Sequence, residues 1–189
     1  MKRPYQLRLR SSRIEKTAVG KGKWMAHIME SPLFVLATSM AYLIRADTRT
    51  TYEEKAQLIA ALGKHVSNGD LNQTELQAVV SDAFDYADDI DPDVFLNTVG
   101  ITLTPGQRTA VVINLYDVML VDGSVAVGEK SLLQKFVNSF DIGRETMRVI
   151  REVTMIKNDT TIFTDRNHPL NEPSYRLDLQ MYGWDESDK

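Results

Sequence analysis

A chain of 189 residues suits one ordinary domain with tails, or two small halves sharing a core, and its 43% apolar and 25% charged composition excludes wholesale disorder. The absence of cysteine excludes disulfides, thiolate metal sites and cysteine nucleophiles together, and accords with a reducing, cytoplasmic setting. A net charge of −4 hides an asymmetry: residues 1 to 23 hold eight Lys/Arg against Glu15 alone, while the remaining 166 residues hold 14 basic and 25 acidic side chains.

A basic arm on an acidic body could touch an anionic membrane surface, nucleic acid or a neighbouring molecule, with a solvated, flexible terminus as the plainer alternative. The arm lacks the apolar stretch and cleavage pattern of a secretory signal, and a transit peptide stays open. The longest apolar run, Leu33 to Ile44, is twelve residues and contains Thr38 and Ser39, against roughly 20 for a bilayer span. It reads as a core helix.

From Ser31 to Lys157 the pattern is helical. Ser31-Pro32 supplies a cap and a first-turn proline, followed by Leu33, Leu36, Ala37, Met40, Leu43 and Ile44 at helical spacing. Thr51-Tyr52-Glu53-Glu54 is a capping-box pattern opening a helix with Leu58, Leu62 and Val66 on one face. Asn72-Gln73-Thr74-Glu75 opens a third, with Leu76, Val79, Val80, Ala83, Phe84 and Ala87 as its apolar side, and Asp91-Pro92 starts a short fourth. Thr104-Pro105-Gly106-Gln107 opens a fifth, carrying Val112, Leu115, Val118 and Met119. Leu132, Leu133, Phe136, Val137 and Phe140 mark a sixth; after Gly143, Met147, Ile150, Val153 and Ile156 mark a last one.

About seven amphipathic helices with short connectors make a compact all-α bundle. Residues 1–23 are then a flexible arm, 24–157 the helical domain and 158–189 an extended C-terminal tail packing its aromatics on the body.

The chemistry concentrates in two acidic loops. Asp47 to Lys55 and Asp122 to Lys130 match at an offset of 75 residues, which carries Leu36 onto Val111, Asp47 onto Asp122, Glu54 onto Glu129 and Leu58 onto Leu133. An internally duplicated helix-loop-helix, two pseudo-symmetric halves, follows. Each loop has an Asp where one helix ends and a Glu in the first turn of the next, and Ser124 adds a hydroxyl. Carboxylates gathered across a turn suit a hard divalent cation such as Ca²⁺, Mg²⁺ or Mn²⁺. Without metal, the same residues serve as an Asx-turn and a first-turn acid. That second account covers Glu54 fully, since Thr51 completes a capping box, and Glu129 less well, since Ala126 is a poor cap.

Other polar groups read more blandly. Asp82, Asp85, Asp88, Asp89, Asp91 and Asp93 form a solvated face and connector. Asp117 either faces the Asp122 loop or makes a partly buried hydrogen bond beside Asn114 or Tyr116. His27, His65 and His168 fit no ligand spacing, and no phosphate loop, nucleophile elbow or zinc-protease motif occurs, so the chain reads as non-enzymatic.

The segment Asn114 to Ser124, continued by Glu129-Lys130-Ser131-Leu132-Leu133, resembles the tellurite-resistance TerB family, whose recognisable element is an apolar helix ending in Ala-Asp-Gly before a helix that begins around a Glu. Val121-Asp122-Gly123 matches with Val for Ala, and Ala46-Asp47-Thr48 with Thr for Gly. The resemblance, over about Ser31 to Lys157, implies an all-α fold of two related halves, a metal set of Asp47, Glu54, Asp122 and Glu129, and a stress-response role without a defined reaction. The combined expectation is a cytoplasmic TerB-like protein binding a divalent metal through Asp122, Glu129, Ser124, Asp47 and Glu54. The alternative is a metal-free adaptor attaching through its basic arm to protein partners or an anionic membrane surface. Homodimerisation fits either reading; specific nucleic-acid recognition fits neither.

Overall fold

The computed structural model describes residues 31–46, 52–120 and 125–177, and for residues 52–55 the backbone alone. Among these it contains seven α-helices and no strand: α1 Pro32–Ala46, α2 Tyr52–Ser67, α3 Gln73–Asp89, α4 Pro92–Val99, α5 Pro105–Leu120, α6 Val127–Ser139 and α7 Arg144–Asn158. No helix among the described residues is long and apolar enough to cross a membrane.

Helix starts follow local chemistry. Ser31 Oγ accepts the Phe34 N–H at 3.3 Å, so the predicted cap before Pro32 forms. Asn72 and Glu75 exchange hydrogen bonds of 3.0 and 2.8 Å in a full capping box, and Thr104 and Gln107 do the same at 3.2 and 2.9 Å. Asp91 accepts the Asp93 N–H at 2.8 Å to open α4. The box predicted at Thr51 and Glu54 lies outside the described side chains. At the end of α6 the turn is made by Asp141, at φ 53°, ahead of Gly143, which instead begins α7. Asp tolerates the left-handed region better than most residues.

The helix α1 is the axis of the bundle, packing on α2, α3, α5 and α6. Every residue from Ala37 to Ile44 is buried, a helix enclosed all round rather than one with a single stripe. Ser39 Oγ is satisfied by the Val35 carbonyl at 2.7 Å, whereas Thr38 Oγ1 is buried without a partner. Phe34, Tyr42, Tyr86, Phe95, Phe136 and Phe140 form a chain of ring contacts with centroids 5.2 to 6.5 Å apart, tying α1, α3, α4 and α6 together. Tyr42 also donates to the Ile90 carbonyl at the end of α3, 2.7 Å away.

One predicted stripe is only half used. Ile150 is buried and Met147 packs against the core, but Val153 is exposed and Thr154 is buried in its place. The cause is position: α7 lies at the edge, packed chiefly on α5, so only one narrow face of it is covered. The first part of the expected extended tail is instead coiled into two short 3₁₀ turns, Thr160–Phe163 and Pro169–Asn171.

Candidate functional site

Of the five predicted metal ligands, Asp47, Asp122 and Ser124 lie outside the described residues, as does the side chain of Glu54, in the first turn of α2. Glu129 is fully described. It is the third residue of α6 and only 3% exposed, an unusual state for a carboxylate. Its Oε2 accepts the Ala126 N–H at 2.8 Å. Ala126 offers no side-chain cap in return, so half of a capping box is made and the acid lies at the positive end of its helix. The helix-start account predicted to be weaker for Glu129 than for Glu54 is therefore well supplied.

Backbone packing beside Glu129 holds the start of α6 against the end of α1. A Cβ on Gly128 would lie 2.4 Å from the Ala46 carbonyl oxygen, so only glycine permits this approach of α6 to the end of α1. Ala46 directly precedes Asp47 in the chain, and Gly128 directly precedes Glu129. Oxygen donors of this kind are what a hard cation takes. Among the described residues themselves, no group of three or more His, Asp or Glu is gathered closely enough to hold an ion.

Several of the remaining acids have structural partners. Asp117 is partly buried as predicted, but neither proposed partner serves it: Asn158 Nδ2 donates to it at 2.8 Å and Lys157 pairs with it, both from α7, while Asn114 bonds back to the Ala110 carbonyl. In the Asp-rich stretch, Asp88 pairs with Arg45, Asp93 with Lys135 at 2.7 Å, and Asp91 caps α4.

Sequence reasoning read His168 as an ordinary histidine and passed over Asp159. His168 Nδ1 accepts the Leu170 N–H at 3.1 Å, which leaves Nε2 to donate to Asp159 Oδ2 at 3.0 Å. The other oxygen of Asp159 accepts the Thr161 hydroxyl at 2.6 Å and its N–H at 2.9 Å. These Thr161 bonds, and then His168, hold the Asp159 carboxyl below its ordinary range. The Asp159-Thr160-Thr161 run is the turn-forming pattern that could have flagged it; nothing local announces His168.

An all-α bundle turning on one enclosed helix defines a class of small helical scaffold. The family profile described as tellurite resistance protein TerB matches residues 34–152, well over half of the chain. The chain belongs to the TerB family. Comparisons with curated proteins and with solved structures return no match.

Proposed function

We propose that this TerB-family protein is a non-enzymatic, cytoplasmic stress-response component that binds a divalent cation, Ca²⁺, Mg²⁺ or Mn²⁺, through Asp47, Glu54, Asp122, Ser124 and Glu129. The observation that carries the reading is the contact of Gly128 with the Ala46 carbonyl. Because Asp47 adjoins Ala46 and Glu129 adjoins Gly128, donors from both loops have a short reach to a common ion, and one shared site is favoured over two. A carboxylate offers about four lone-pair sites, so the bond from Ala126 does not exhaust Glu129. The duplicated origin is supported by helix starts: the offset of 75 carries Tyr52, first residue of α2, onto Val127, first residue of α6.

Calorimetry of the full chain with each of the three cations tests this. Expected is saturable binding that weakens in both Asp122→Asn and Glu129→Gln. No binding, or binding indifferent to both changes, refutes it.

The charge of the arm favours a second reading, an adaptor that attaches to an anionic membrane or a protein partner without metal. Removal of residues 1–23 then abolishes salt-sensitive association with anionic vesicles or partner; unchanged association after truncation ends that reading.

A further inference from the structure

Residues of α1, α2, α5 and α7 converge on a small depression. Its floor includes Met40, among the most deeply buried residues of α1. Its rim is polar: Lys64 and Gln57 from α2, Asn114 and Asp117 from α5, and Lys157 from α7.

The charges there do not balance. The carboxylate of Asp117 is already engaged by Lys157 and by the Asn158 amide. The Lys64 side chain has no ion-pair or hydrogen-bond partner among the described residues, and Gln57 also keeps an uncommitted amide there. Two ammonium groups therefore face one carboxylate, leaving a local excess of positive charge in a body where acids outnumber bases. An apolar floor beneath polar walls lowers the local dielectric and strengthens the pull on a charged guest. The dimensions suit an ion of a few heavy atoms and exclude a nucleotide.

We propose that this depression binds a small oxyanion or carboxylate, with Lys64 as the main electrostatic contact, Lys157 as the second and Gln57 as a neutral donor. A bound anion would link α2 to α7 through the two lysines, giving the edge helix an additional tie to the bundle. The proposal is independent of the divalent-cation reading and stands or falls without it.

The test is an amide-shift titration of the full-length, chelator-treated protein with inorganic phosphate, sulfate and acetate in turn, at constant ionic strength. Expected are saturable shifts at amides of residues 57–64 and 114–118 with at least one anion; the pattern across the three distinguishes a tetrahedral oxyanion from a carboxylate. Loss of a charge-assisted contact in Lys64→Gln should weaken binding by about ten- to hundredfold. Lys64 is exposed and its side chain makes no hydrogen bond or ion pair that the fold needs, so this variant keeps the bundle intact. Absence of saturable shifts with all three anions overturns the proposal. So do shifts confined to the basic residues 1–23, or equal affinity in wild type and Lys64→Gln.

Discussion

Replacing Gly128 by Ala tests the close approach on which both the packing of α6 and the proposed metal site depend. The added Cβ would be 2.4 Å from the Ala46 carbonyl oxygen, a backbone atom that cannot rotate away as a side chain would. To reach even about 3.0 Å, α6 and the end of α1 must separate by about 0.6 Å, and forced overpacking of this kind costs about 1–3 kcal/mol. Against it stands the entropic and helix-propensity advantage of Ala over Gly, at most about 1 kcal/mol. The expected net loss is about 0.5–2 kcal/mol, or a fall of a few degrees in Tm. Gly63 provides the control, since a Cβ there meets nothing within 4 Å inside α2. Gly63→Ala should raise stability by about 0.5–1 kcal/mol. Urea unfolding of both variants, read as the midpoint at constant m-value, decides the matter. If Gly128→Ala is as stable as wild type, or moves in the same direction as Gly63→Ala, the close approach is wrong and the argument for a shared cation site loses its support.

Two further outcomes follow from buried hydroxyls. Thr38 Oγ1 has no partner in the core, so Thr38→Val should stabilise the fold by about 1 kcal/mol by removing an unsatisfied group; a loss of stability in chemical denaturation would mean the hydroxyl is bonded. Burial chiefly, and then Tyr86 and Asp91, raise the Tyr42 hydroxyl far above its ordinary value of 10.0. Its contribution is therefore complete below pH 10 and is lost as pH rises toward the folded-state value, because the unfolded chain releases the proton first. Tyr42→Phe should flatten the alkaline fall in stability measured above pH 10, while lowering neutral-pH stability by about 1 kcal/mol through loss of the bond to Ile90. An unchanged alkaline slope would refute the assignment.

Sequence alone determined the helices and their starts, because caps and apolar spacing act within a few residues. Ser31, Asn72, Asp91 and Thr104 each begin a helix with partners two or three positions away. The family was legible for the same reason: its acidic turn is a local pattern, and the TerB profile covers the same helices. Long-range pairing was not legible. Nothing near Asp117 points to Lys157 and Asn158, and nothing near Asp159 points to His168. The exposure of Val153 follows from the edge position of α7, which periodicity does not encode.

The acidic loops show the division most clearly. Residue types and spacing singled out Asp47, Glu54, Asp122, Ser124 and Glu129 as oxygen donors on two matched turns. Only the tertiary structure decided that Glu129 is buried and that Gly128 rests on the Ala46 carbonyl, drawing the flanks of both turns to one end of the bundle. That choice belongs to helix packing, in which a missing Cβ on α6 lets its backbone meet the end of α1, and no rule acting along the chain specifies which carbonyl it will meet.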